Sequence, residues 1–135
     1  FVTAGSITVP WLTVVLRKGY GLGAQAMAGG SFHATSFTVS WPTGEFGGMG
    51  LEGAVRLGFK KELDAIADPV ERKALEDKLI ASAYERGSAL NMASHMEIDE
   101  VIDPADTRMR IAGMLRSYPP TPQRTGKKRP MIDTW

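Results

Sequence analysis

The chain has no cysteine and only two histidines among its 135 residues. Without cysteine there is no disulfide, no thiolate nucleophile and no cysteine-ligated zinc or iron–sulfur site, and the composition fits a reducing, cytoplasmic compartment. His33 and His95 show no ligand spacing with acidic residues, so we expect no metal. His33 lies near Ser31, but no G-x-S-x-G motif accompanies the pair, which we interpret as structural.

Long apolar runs and strong net charge are also missing. The stretch Ile7–Leu16 contains Pro10 and is too short to span a bilayer, so we expect no membrane partner. The net charge of +1 gives no broad nucleic-acid-binding surface. The chain starts at Phe1 and lacks the charged start of a signal peptide, so we interpret it as a piece of a longer protein.

Glycine, in contrast, is concentrated in the first half of the chain. The stretch Arg17–Gly30 contains five glycines in fourteen residues. It follows the strand predicted within Val9–Leu16, whose nearly continuous apolar and β-branched residues are typical of a strand buried on both faces. We expect a turn over Gly19–Gly23 and a short helix over Ala24–Ala28.

A similar order is predicted for the next segment. A second strand covers Thr35–Trp41 and ends at Pro42, which cannot donate a hydrogen bond to a sheet. A second glycine-rich loop, Thr43–Gly50, then leads into a helix that starts at Leu51.

Two further helices are predicted from the residues at their ends. Asp68 and Asp103 each precede a proline, which is the pattern of an N-cap followed by a proline at the first helical position. Gly87 is a C-cap for the first of these helices, and an apolar stripe carries the second as far as Tyr118. A short strand is predicted near Ile98–Ile102.

Together these elements predict an α/β layered fold with a helical C-terminal segment. We expect residues 1–118 to form the folded part of the chain, a portion of one domain, and residues 119–135, rich in proline and basic side chains, to form a flexible tail. The few apparent strands cannot make a stable sheet alone, which again indicates that strands precede this chain.

The first glycine-rich turn has three interpretations. Backbone N–H groups at a strand-to-helix turn are unpaired, and two of them aimed at a carbonyl oxygen would form an oxyanion hole. Alternatively, the glycines only allow close packing. Gly19, Gly21 and Ala24 also match the G-x-G-x-x-[G/A] pattern of dinucleotide-binding proteins, although Glu45 does not lie at a strand end as that site requires.

Four segments carry a more specific pattern: VVLRKGYGLGAQAM, SWPTGEFGGMGLEGAVRLGFKKEL, AYERGSALN and EIDEVIDPADTRMRIAGML. In this order they resemble the carboxyltransferase (beta) subunit of biotin-dependent acyl-CoA carboxylases of the acetyl-/propionyl-CoA carboxylase type. The similarity extends from Val9 to Leu115 and covers the last part of that subunit's C-terminal domain. It implies a crotonase-like (ClpP/crotonase) fold, present here in part.

The resemblance implies carboxyl transfer from carboxybiotin to the α-carbon of an acyl-CoA. In that family biotin, once it has released carbon dioxide, takes the α-proton of the acyl-CoA, and paired backbone amides stabilise both enolates. Because the cofactor is the base, no histidine or thiolate is needed. Matching R-K-x-Y-G-G-A to this turn implies that the amides of Leu22 and Gly23, or of Gly23 and Ala24, are the donors.

The same resemblance implies the remaining site residues. Gln25 would line the acyl pocket, and Glu45 would have a structural role. The residues implied for the biotin cleft belong to the two glycine-rich turns: Tyr20, Gly21, Gly47, Gly48, Met49 and Gly50. The segment would supply the biotin side of an active site and be inactive alone.

The implied partners are an acyl-CoA, a biotin carboxylase with its biotin carboxyl carrier, and further copies of the subunit, from dimer to hexamer. Two other functions stay open, namely a biotin-dependent acyl-CoA decarboxylase subunit and a non-catalytic assembly module of a biotin-carrier complex. Acetyl-CoA and propionyl-CoA are equally compatible with the sequence.

Overall fold

The computed structural model describes residues 9–120, together with positions 4 and 7. Five strands lie in this part of the chain, all paired in parallel: β1 (Leu12–Val15), β2 (Lys18–Tyr20), β3 (Phe37–Ser40), β4 (Glu45–Gly47) and β5 (Glu100–Val101). One sheet has the order β1-β3-β5, and the other pairs β2 with β4. Most of the predicted tail, residues 121–135, lies outside the described residues.

Six α-helices lie between and after these strands: α1 (Gly21–Met27), α2 (Leu51–Gly58), α3 (Lys60–Asp64), α4 (Pro69–Arg86), α5 (Ala89–Ser94) and α6 (Thr107–Ser117). A 3-10 turn, Pro104–Asp106, precedes α6. Within the described residues no helix is both long and apolar enough to cross a bilayer. The predicted α/β order with a helical C-terminal segment is confirmed.

The two longer predicted strands are confirmed as β1 and β3, and β5 lies inside the predicted Ile98–Ile102. Val14 of β1 lies opposite Val39 of β3, and Val39 is completely buried. Thr38 and Ser40 are also fully buried, and their hydroxyls donate to the carbonyls of Phe32 (2.6 Å) and Trp41 (2.8 Å). The central strand therefore carries polar side chains whose hydrogen bonds are satisfied locally.

The predicted turn over Gly19–Gly23 is wrong in its bounds. Gly19 belongs to β2, and α1 begins at Gly21, three residues before the predicted start. The sequence Lys-Gly-Tyr has no β-branched residue and reads as a turn, but its pairing with β4 makes it a strand. A Cβ atom at Gly19 would lie 3.3 Å from Cδ1 of Phe46, so the glycine lets that ring pack against the strand.

The predicted helix ends are largely confirmed. The Asp68 carboxylate accepts a hydrogen bond from the Val70 amide at 2.9 Å and caps α4. Asp103 caps the 3-10 turn rather than α6 itself, because the chain makes one tight turn before the α-helix starts. Gly87 is the C-cap of α4, but its φ of −85° is not left-handed.

The hydrophobic core joins the two sheets. Val15, Phe46, Ala89 and Ile98 form its buried centre. The Phe32 ring packs edge-on against Phe46, with ring centroids 5.4 Å apart. Since Phe46 is the middle residue of β4, this side chain fixes the small β2–β4 sheet to the core.

Candidate active site

The two glycine-rich turns meet at one edge of the β2–β4 sheet. Because the strands are parallel, their carboxyl ends lie at the same edge, and the chain leaves them at Gly21 and Gly48. Gly21 has a φ of +62°, and a Cβ there would lie only 2.9 Å from the Gly48 carbonyl oxygen. Both the left-handed backbone and the close approach require glycine at position 21.

The start of α1 leaves backbone donors at this edge. Tyr20 is the N-cap residue, and its side chain makes no capping hydrogen bond. In an α-helix with this N-cap, the first amide with an intrahelical acceptor is that of Ala24, so the amides of Gly21, Leu22 and Gly23 have none. No acidic residue lies in the first turn of α1 to compete for them.

Two of the glycines at this edge have no packing role in the described chain. Apart from chain neighbours and the helix's own backbone, no atom lies within 4 Å of a Cβ built at Gly23 or at Gly48. Neither residue has a positive φ. Glycine in a helix costs roughly 1 kcal/mol relative to alanine. Gly23 therefore destabilises α1, and no packing contact in the described chain requires a glycine at this position.

A cavity of about 450 Å³ opens beside the turns, a volume typical of small-molecule sites. Four of the predicted site residues line it: Gly21, Gln25, Gly47 and Gly48. Its apolar wall includes residues that the sequence did not single out: Phe32, Phe46, Leu51 and Met92. The site residues from two separate sequence segments are thus brought together around one space.

The remaining predicted residues lie nearby but do not line this cavity. The Tyr20 hydroxyl is bonded to Glu45, and Met49 is 44% exposed. Gly50 is the N-cap of α2. Leu22 and Gly23 are exposed, and Ala24 lines a neighbouring cavity of about 620 Å³ beside β1.

Glu45 is held by hydrogen bonds on both carboxylate oxygens. Oε1 accepts from Nε of Arg17 at 3.1 Å, and Oε2 accepts from the Tyr20 hydroxyl at 2.5 Å. The hydrogen bond from Tyr20, supported by the one from Arg17, lowers the pKa of the Glu45 carboxyl below its usual value. Burial, together with the same hydrogen bond, raises the pKa of the Tyr20 phenol. These contacts suit a structural role for Glu45.

The far wall of the cavity comes from the junction of α4 and α5, which sequence reasoning missed. A Cβ at Gly87 would lie closer to the Phe46 carbonyl oxygen than the two atoms can approach. The junction can therefore lie directly against β4 only because residue 87 is glycine. The Phe46 amide donates to the Gly87 carbonyl at 2.7 Å. Arg86 and Glu97 stand exposed at the edge of the cavity. The sequence did contain one signal for this junction: Gly87 ends a long helix and no turn signal follows it.

Within the part of the chain that the structure describes, the histidines form no catalytic arrangement. The backbone amide of His33, not its ring, bonds to the Ser31 hydroxyl at 3.1 Å. The ring of His33 pairs with Glu97 at 3.3 Å on the surface. Among the described residues, no three histidine, aspartate or glutamate side chains are grouped as metal ligands.

Comparison with known proteins gives consistent matches. Residues 3–132 match the sequence profile of the family described as "Carboxyl transferase domain". The chain is 40% identical over 111 residues to the methylmalonyl-CoA carboxyltransferase 12S subunit of Propionibacterium freudenreichii subsp. shermanii, covering 82% of this chain and 21% of that protein. The chain spans about a fifth of the length of the curated relatives it matches.

Solved structures agree with these matches. A single-chain, multi-domain long-chain acyl-CoA carboxylase is 56% identical, with a TM-score of 0.69 over 84% of this chain and 11% of that one. The hexameric transcarboxylase 12S structure is 35% identical, with a TM-score of 0.77 over 93% of this chain and 24% of that one. The predicted crotonase-like α/β fold is confirmed by these likenesses.

Proposed function

The chain belongs to the carboxyl transferase domain family, and from this premise we propose that the protein carrying it transfers a carboxyl group between biotin and the α-carbon of an acyl-CoA. The segment would supply the biotin side of that active site. The observation that carries the proposal is the open space at Gly23 and Gly48, next to backbone amides at the start of α1. Glycine there serves no packing in the described chain, but it would let a ligand approach the backbone.

The residues at the turns fit a flat, uncharged ring such as that of biotin. Gly21, Gly47 and Gly48 present backbone rather than side chains to the cavity, so a ring can lie close to the main chain. Carboxybiotin bound there would supply the carboxyl group, and the biotin left after its release would supply the base for the α-proton. Tyr20, Met49 and Gly50 belong to the same two turns and would complete the cleft at its rim.

The amides of Leu22 and Gly23 are the proposed oxyanion donors. Both precede Ala24, the first residue of α1 whose amide finds an acceptor within the helix, and this favours them over the alternative pair of Gly23 and Ala24. Hydrogen bonds aimed at an oxygen where negative charge develops lower the barrier of carboxyl transfer. Losing one such donor costs roughly 2.7–4 kcal/mol of transition-state stabilisation.

Gln25 is proposed to contact the acyl group. It lines the cavity one helical turn after Gly21, and the apolar side chains of Phe32 and Leu51 line the same cavity. The relatives are named for methylmalonyl-CoA and for long-chain acyl-CoA, so both short and long acyl groups belong in the test. Acetyl-CoA and propionyl-CoA remain equally open as acceptors, and they are tested through their carboxylated forms, malonyl-CoA and methylmalonyl-CoA.

The proposed partners are a biotin carboxylase, a biotin carboxyl carrier domain and further copies of the subunit, up to the hexamer described for transcarboxylase 12S. We also propose a cytoplasmic location, which the absence of cysteine supports. No metal is part of the proposal for this segment.

The test uses the natural full-length protein, purified away from its partners. It is incubated with malonyl-CoA, methylmalonyl-CoA and a long-chain 2-carboxyacyl-CoA, with and without free biotin, and release of the decarboxylated thioester is followed. We expect release that depends on biotin, and the preferred thioester identifies the substrate. No release with intact thioesters and biotin would contradict the proposal and favour the assembly module. Forward carboxylation with bicarbonate, ATP and the biotin carboxylase would separate a carboxylase from a decarboxylase.

A further inference from the structure

Three residues form a closed set of contacts around the short strand β2. Arg17 precedes the strand, Tyr20 ends it, and Glu45 opens the paired strand β4. The Glu45 amide donates to the Arg17 carbonyl at 2.5 Å, its carboxylate accepts from Nε of Arg17 at 3.1 Å, and it accepts from the Tyr20 hydroxyl at 2.5 Å. Both ends of β2 are thereby tied to the first residue of β4.

The β2–β4 sheet depends on such contacts because it is very small. It has three residue pairs in two strands, and a two-stranded sheet of this length is marginal without outside support. The Glu45 side chain is 17% exposed, whereas that of Arg17 is 67% exposed. The better shielded part of the contact set is therefore the hydrogen bond from Tyr20, since an exposed ion pair contributes little.

Tyr20 is also the residue from which α1 starts. Its backbone is the N-cap, and the next residue, Gly21, is the one that approaches Gly48. A rotation at Tyr20 would turn the amides of Leu22 and Gly23 away from their present direction. Among the described residues, no side chain caps the start of α1 and holds that direction.

We propose that Tyr20 is a positioning residue, whose hydroxyl bond to Glu45 fixes the start of α1 and with it the direction of the Leu22 and Gly23 amides. This inference rests on the proposed function, because only that function gives the two amides a catalytic role. In this proposal the Tyr20 hydroxyl bonds to Glu45 and not to a ligand. The phenol is neutral and the carboxylate is ionised, so the hydrogen bond is charge-assisted and stronger than a neutral one.

The chain offers a matched control at α4. The Tyr84 hydroxyl donates to Oε1 of Glu52 on α2, also at 2.5 Å. Tyr84→Phe therefore removes the same kind of bond as Tyr20→Phe, but at a helix pair that does not carry the amides. Both variants keep the aromatic ring and its packing.

The experiment compares these two variants in the natural full-length protein. The first readout is hydrogen–deuterium exchange of the backbone amides from Arg17 to Met27, which needs no ligand. Tyr20→Phe should raise the exchange of this segment at least several-fold, and Tyr84→Phe should leave it unchanged. The second readout is biotin-dependent release of acyl-CoA. There Tyr20→Phe should lower kcat about 10- to 100-fold, as expected for a displaced catalytic group, with KM for the thioester within twofold.

Glu45→Leu provides a second test from the other side of the bond, because leucine has no acceptor oxygen whereas glutamine would keep one. It should raise the exchange of this segment at least as much as Tyr20→Phe, and adding Tyr20→Phe to Glu45→Leu should lower kcat no further. Unchanged exchange in Tyr20→Phe, or equal kcat values in Tyr20→Phe and Tyr84→Phe when the wild-type protein is active, would overturn the inference. Raised exchange in Tyr20→Phe, with a wild-type protein that releases no acyl-CoA, would support the positioning role and reject the proposed function instead.

Discussion

Gly23 provides the sharpest test of whether the glycine-rich turn serves packing or catalysis. In Gly23→Ala the added methyl meets no atom of the described chain within 4 Å apart from its neighbours and its own helix. The residue lies in the first turn of a helix with an ordinary negative φ. Alanine should therefore raise stability by up to about 1 kcal/mol, because it is the better helix former.

Activity should move in the opposite direction. If the space beside Gly23 receives the ligand, the methyl group keeps it away from the amides. Complete removal of one oxyanion donor lowers kcat about 100- to 1,000-fold, and this sets the upper limit of the effect. We expect Gly23→Ala to lower kcat at least tenfold. The assay is biotin-dependent acyl-CoA release, measured together with the denaturation midpoint on the same protein.

Gly113→Ala is the matched control for this variant. Gly113 lies inside α6, a Cβ there also meets no atom of the described chain within 4 Å, and it belongs to neither glycine-rich turn. It should show the same direction of stability change with normal activity. Full activity in Gly23→Ala, with the same stability change as the control, would refute the reasoning that the open space at Gly23 receives a ligand.

Three further predictions concern stability. Gly87→Ala should destabilise the protein by about 1–3 kcal/mol, measured by denaturant unfolding, because its Cβ would enter the Phe46 carbonyl; a change near zero would contradict the direct contact of α4 with β4. Asp68→Ala should lower stability by about 1 kcal/mol through loss of the bond from Val70, and Asp68→Asn should restore most of it. Because the pKa of Glu45 is lowered in the folded protein, its contribution to stability is present above the ordinary value of 4.5 and is lost as the pH falls through the folded-state value. Glu45→Gln should therefore reduce the loss of stability at acid pH, measured as denaturation midpoints over a pH series. An acid-side loss in the variant as steep as in the wild type would contradict this role.

Local signals in the sequence predicted the elements whose causes are local. The strands β1 and β3 have β-branched, apolar residues, and α4 has Asp68 as a cap in front of a proline. The strand β2 could not be predicted in this way, because Lys18-Gly19-Tyr20 becomes a strand only through its pairing with a segment 27 residues away. For the same reason the predicted helix α1 started three residues too late.

The glycine-rich turns of the candidate site could be predicted from the sequence, but the side chains that line its cavity could not. The glycines of the two turns stand out in the sequence, and the parallel pairing of β2 and β4 brings Gly21 and Gly48 together. The junction at Gly87 and the side chains of Phe32 and Met92 reach the cavity from elements that are distant in sequence. No periodicity or motif in a single sequence reports such contacts.

The strand β4 is bonded along both of its edges, and this affects how the protein can move. On one side it pairs with β2, and on the other the Phe46 amide donates to the Gly87 carbonyl; just before the strand, the Ala89 amide donates to the Gly44 carbonyl at 3.0 Å. Any opening of the turn at Gly48 therefore has to separate β4 from a helix junction as well as from a strand. The turns and the junction of α4 and α5 should therefore open and close as one cooperative unit. A displacement of α4 would then also change the shape of the cavity beside the turns.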